Sequence, residues 1–191
     1  MRTEPHQHVL QLDLQGTPQA WISLEQAAVH VATGSVAWVE GAGPLAVLRG
    51  GYNVARGCQS RIEVHPIIAL HGASRVNLFD VVPALARTKL FRRDRLQCAY
   101  CGGVFAEAQL QCEHIVPASR GGATTWMNLV TACAGCNARK ADRTPEEAHM
   151  PLLYLPYVPS RFEDFLLAGR RIRADVHEWL AARLPKGSRL S

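Results

Sequence analysis

Residues 98–101 read CAYC and residues 133–136 read CAGC; between them lie CEHIVPASRGG (112–122) and WMNLV (126–130). This stretch decides the fold. One Cys-x-x-Cys pair is a weak signal. Two pairs, Cys98/Cys101 and Cys133/Cys136, supply the four thiolates of a closed tetrahedral zinc site. Closing that site folds the thirty-one residues between the pairs back on themselves, so that their polar side chains converge near the metal. Four thiolates leave no open coordination position, so this zinc is structural. Chemistry then falls to the residues it frames.

Those residues are Glu113-His114, then Ile115-Val116-Pro117, then Ser119-Arg120-Gly121-Gly122, with Asn128 before Leu129-Val130 and Asn137 directly after the last cysteine. In this order they resemble the HNH endonuclease family over about residues 86–150. The resemblance implies a β-hairpin and one helix around a single divalent metal. It implies that Glu113 and Asn137 hold Mg²⁺ or Mn²⁺, since both offer the hard oxygen donors such ions prefer. His114 is then the general base, an imidazole that titrates near neutral pH. Asn128 matches the asparagine that holds the histidine's loop, a task suited to an amide that donates and accepts at once. Two departures stand out: Glu113 replaces the more usual aspartate, and Asn137 replaces the family's last histidine. Neither removes a group that the chemistry needs.

A different reading keeps the cysteines but not the catalysis. Paired knuckles also build non-catalytic zinc modules that bind nucleic acid or a protein partner. Under that reading Glu113 and Asn137 are incidental. A redox role for the Cys-x-x-Cys pairs is disfavoured by there being two of them. Cys112 reads as a small buried apolar residue, with a ligand role as the alternative, and Cys58 carries no assigned role. No role is assigned to His6, His8, His30, His65, His71, His149 or His177. Cysteines spent on metal rather than on disulfides fit a reducing cytoplasm. No membrane span is expected, because no run of about eighteen apolar residues occurs; residues 1–11 lack a signal-peptide core.

Charge is concentrated where the motif lies. Residues 86–143 hold nine Lys and Arg against four acids, a surplus of +5 that equals the net charge of the whole 191-residue chain. A polyanionic partner follows, DNA by the resemblance and RNA as the alternative. Arg120, Arg139 and Lys140 are the expected phosphate contacts, which give affinity without sequence information.

The remaining sequence reads as scaffold, and the fold class is α+β: a small N-terminal α+β region (1–85), a zinc-stapled nuclease core (86–150), and a C-terminal connector with helices (151–191). Leu10, Leu12 and Leu14 alternate with polar residues as in a strand. Ser23 and Gln26 form a capping box for a helix that Gly34 ends. Ser35–Glu40 and Pro44–Leu48 read as strands joined by a Gly41-Ala42-Gly43 turn, and Arg61–His65 as a further strand. Asp80–Asp94 is partly helical, and Ala134–Lys140 is the helix of the metal finger. Thr144-Pro145-Glu146-Glu147 and Ser160-x-x-Glu163 read as helix starts, and Ile172–Leu184 as a last helix.

Overall fold

A computed structural model describes residues 8–55, 57–72, 81–168 and 171–190. His6 and Asp80 lie outside these. The chain is α+β and divides into two compact units, Met1–Asp80 with Arg171–Ala182 and Val81–Arg170 with Arg183–Ser191. The C-terminal residues 151–191, read from the sequence as a region of their own, are thus shared between the two.

In the first unit, β1 (His8–Leu12) and β2 (Pro18–Ser23) form an antiparallel pair. Helix α1 (Leu24–Ala32) follows, and its capping box is made in full: Ser23 Oγ accepts from the Gln26 N–H, and Gln26 Oε1 accepts from the Ser23 N–H. Strand β3 (Val36–Glu40) comes next. Among the described residues, strands β4 (Ala46–Asn53) and β5 (Cys58–Val64) pair only with each other, as a two-stranded ribbon. Strand β6 (Ile67–Leu70) completes a four-stranded sheet of order β2-β1-β6-β3. Val9, Ile22, Ala27, Val64 and Ile68 form the core between sheet and helix. Helix α5 (Ala174–Ala181) buries Val176 and Leu180.

The hairpin expected from Ser35–Glu40 and Pro44–Leu48 does not form, because β3 pairs with β6 instead. The physical reason lies in β6. Ile67, Ile68 and Ala69 are all wholly buried, and a strand apolar on both faces takes a central place. Gly41 therefore links two sheets rather than closing a turn. It has φ +118°, and a Cβ there would lie 2.4 Å from Pro66 Cγ. The Ala42 N–H beside it donates to Asp175 Oδ2.

The second unit is built around a helix, a hairpin and a second helix. Helix α2 (Arg87–Arg93) precedes the first knuckle. Strands β7 (Leu110–His114) and β8 (Leu129–Cys133) pair antiparallel, with Glu113 opposite Val130 and His114 opposite Leu129. Helix α3 (Ala134–Lys140) starts on the last knuckle, where Cys133 Sγ accepts from the Cys136 N–H. Helix α4 (Arg161–Ala168) begins with a second capping pair, Ser160 and Glu163. The Thr144 motif makes its capping bonds with Glu147 but propagates only one turn, which ends at His149 with φ +53°.

Arg93 organises this unit. It is fully buried, and all five guanidinium N–H donors are used. They reach Asp94 Oδ1 and Oδ2 and the carbonyls of Trp126, Tyr157 and Leu129. Asp94 Oδ2 also accepts from the Thr131 N–H of β8. A buried ion pair survives only when its hydrogen bonds are complete, and this one is.

Candidate active site

The two knuckles meet. The Sγ atoms of Cys98, Cys101, Cys133 and Cys136 all lie within 4.8 Å of one another. A tetrahedron with zinc–sulfur bonds of about 2.3 Å has sulfur–sulfur edges of about 3.8 Å, so the cluster fits such an ion. The protein has prepared one thiolate. Burial opposes ionisation of Cys98, but hydrogen bonds with the backbone of Cys101, Cys133 and Tyr100 outweigh it and bring the thiol down to about 7. Cys136 is pushed up to about 12 by burial, by its hydrogen bond with Cys133 and by the Cys98 charge. One anion therefore forms readily and the next resists, until a dication removes the conflict.

The long loop between β7 and β8 is tied by its own backbone and by Asn128. The Ile115 N–H donates to the Asn128 carbonyl. Asn128 Oδ1 accepts from the Val116 N–H, and Nδ2 donates to the carbonyls of Val116 and Ala123. Gly122 lets the loop close: a Cβ there would lie 1.8 Å from the Val116 oxygen.

This loop frames a small cleft of about 250 Å³, lined by Glu113, His114, Pro117, Ala118, Ser119, Ala141 and Asp142. Glu113 and His114, adjacent in sequence, both reach it. Glu113 is only 6% exposed, and its partner is Lys140, whose Nζ lies 2.6 Å from Oε1. Lys140 also donates to the His114 carbonyl at 2.9 Å. His114 Nε2 makes a 3.0 Å hydrogen bond with Thr124 Oγ1.

Asn137 does not line the cleft. Its Nδ2 donates to Gln111 Oε1, one pleat back along the same face of β7 as Glu113. The register explains this. Asn137 and Lys140 are three apart on α3 and share a face, so Lys140, not Asn137, lies over Glu113. The expected phosphate role of Lys140 is corrected by the same fact, since its side chain is wholly buried.

Charge reads differently in three dimensions. Of the nine basic residues in 86–143, seven donate from their side chains to a carboxylate or a backbone carbonyl: Arg87, Lys89, Arg92, Arg93, Arg120, Lys140 and Arg143. Arg120 is held by both oxygens of Glu147. Among the described residues, the side chains of Arg95 and Arg139 meet no partner, and both residues are exposed.

Sequence reasoning missed Thr124, the Lys140–Glu113 pair and Asp142. The first two carry no sequence signal, because the contacts span ten and twenty-seven positions. Asp142 follows the helix end, and a reversal at Ala141 (φ 53°, ψ −134°) brings it to the cleft.

Residues 98–153 match a family model described as HNH endonuclease. A segment of 59 residues is 39% identical to the CRISPR-associated endonuclease Cas9 of Corynebacterium diphtheriae. That match covers 30% of this chain and 5% of that protein. The knuckle-and-hairpin segment thus matches the HNH endonuclease family and carries a four-cysteine cluster. Among the described residues, no helix is long and apolar enough to cross a membrane.

Proposed function

We propose that this HNH domain is a metal-dependent endonuclease that hydrolyses phosphodiester bonds in DNA. The observation that carries the reading is the convergence of a buried carboxylate, Glu113, and an imidazole, His114, on one cleft. With Nε2 engaged by Thr124, the other ring nitrogen of His114 is left to take a proton from water. Glu113 and Asp142 are hard oxygen donors at the cleft and would hold Mg²⁺ or Mn²⁺ there. Asn137 would join them by turning its amide from Gln111. When bound, the ion supplies positive charge against the charge that develops on the phosphate and the leaving oxygen. Arg139 positions phosphate, and Arg120 does so once released by Glu147. Zinc on Cys98, Cys101, Cys133 and Cys136 holds hairpin and helix together, and reduced thiolates suit a cytoplasmic setting.

Incubating the purified protein with supercoiled plasmid, with and without Mg²⁺ or Mn²⁺, tests the reading. Ion-dependent nicking or linearisation is expected, and its loss in His114→Ala. Plasmid that stays intact under all these conditions, yet is bound by zinc-loaded protein, would establish the non-catalytic zinc module instead.

A further inference from the structure

Beyond its root, the ribbon formed by β4 and β5 joins neither core. Its root is anchored: Val64 is buried, and Leu45 and Ile62 pack on the core of the first unit. Beyond the root, residues 47–52, 54, 55 and 57–61 are exposed. An isolated two-stranded ribbon is marginal in water, so a bare one invites a partner.

Its charge says which. Residues 48–62 contain Arg49, Arg56 and Arg61 and no acid. Arg49 and Arg61 are direct cross-strand partners. Like charges placed opposite each other are destabilising, and a polyanion reverses the sign of that term. Glu63, just outside this stretch, makes an exposed pair with Arg61, the kind of contact that contributes little.

A bulge arranges the rest. Arg49 pairs with Arg61 and Tyr52 with Gln59, three steps on one strand against two on the other. The extra residue falls at Gly50-Gly51, where Gln59 Nε2 donates to the Gly50 carbonyl. This step keeps Tyr52, 65% exposed, on the same face as Arg49 and Arg61. An aromatic ring beside a pair of arginines on an exposed strand face suits a nucleic-acid surface.

We propose that the β4–β5 ribbon is a duplex-DNA-binding arm, which lays its Arg49–Tyr52–Arg61 face in the major groove. That groove in B-form DNA is about 12 Å wide and admits a two-stranded ribbon. The major groove of A-form RNA is too narrow to do so. The arm is a binding element of its own and does not depend on the cleft being catalytic.

The test uses the full zinc-loaded chain carrying His114→Ala, so that DNA is not consumed. Affinity for a short duplex is measured by fluorescence anisotropy across a salt series. Arg49→Ala/Arg61→Ala should weaken binding and lower the salt slope by about 2. Arg49→Lys/Arg61→Lys should keep most of the slope, and Tyr52→Ala should weaken binding without changing it. Double-stranded RNA should show no such difference. Circular dichroism and zinc content verify folding. Unchanged affinity and slope in the alanine variant overturn the proposal, as does an equal loss on double-stranded RNA. A ribbon that instead holds two copies together would show as a monomer–dimer shift with DNA binding intact, which also overturns it. If wild-type protein never cuts plasmid but the ribbon variants lose duplex affinity, the arm stands and the nuclease reading falls.

Discussion

Lys140 Nζ lies 2.6 Å from Glu113 Oε1, with none of the Lys140 side chain and 8% of the Glu113 side chain exposed. Neither charge could stand there alone. The lysine also holds the His114 carbonyl, so one side chain on α3 fixes both neighbouring site residues on β7. The ammonium occupies the carboxylate that a divalent ion would use.

Replacing Lys140 by Met strands that carboxylate. We expect a loss on the order of 3–5 kcal/mol, the usual result of breaking a buried pair from one side. Mn²⁺ should restore part of the loss by binding the folded state. Thermal melts with and without Mn²⁺ report both effects. A melting temperature equal to wild type without the ion would show that the pair is dispensable.

The ion's second ligand can be decided by titrating Mn²⁺ and following free ion by electron paramagnetic resonance. Glu113→Gln should abolish tight binding. Asp142→Asn should weaken it more than Asn137→Ala, because Asp142 lines the cleft and Asn137 does not. The reverse order would make Asn137, turned from Gln111, a stronger ligand than Asp142.

Chelation tests the cysteine cluster. Structural zinc contributes on the order of 10 kcal/mol to small finger modules. Cys98→Ser or Cys136→Ser should therefore unfold the second unit rather than merely slow it. Elemental analysis is expected to show one zinc per chain; folded protein without zinc would refute this role.

His114→Ala should keep zinc, fold and DNA binding while the cleavage rate falls by roughly 10²- to 10⁴-fold. Wild-type cleavage by this variant would remove His114 from the chemistry.

Gly122→Ala probes the loop. A Cβ at that position meets the Val116 carbonyl at 1.8 Å and Asn128 Nδ2 at 2.9 Å. The loop must move, at a cost of about 1–3 kcal/mol. Hydrogen exchange should quicken over residues 115–128 while the β7–β8 hairpin stays protected. An unchanged exchange pattern would contradict the loop's dependence on that close approach.

Much of the second unit was legible from local signals. Ala134–Lys140 is helical over the span read from sequence, and the cysteine pairs meet. The Ser160 cap is made as spelled, and so is the Ser23 cap in the first unit. These features are encoded within a few residues of each other, or by ligand chemistry that permits one arrangement. The first unit was harder. The run Pro66-Ile67-Ile68-Ala69-Leu70 has no alternation, so nothing local marked it as the central strand that takes β3 from its neighbour β4.

The sequence by itself determined the donor atoms: four thiolates, a carboxylate beside an imidazole, and an asparagine placed to tie the loop. Tertiary structure alone decided their partners. It sent Arg93 and Lys140 inward, where carboxylates and carbonyls satisfy them, and it tied Arg120 to Glu147. It brought Asp142 to the cleft and turned Asn137 to Gln111. A residue's chemistry is local, but its charge is available to a partner only where packing leaves it exposed and unpaired. That depends on contacts tens of residues away in the chain.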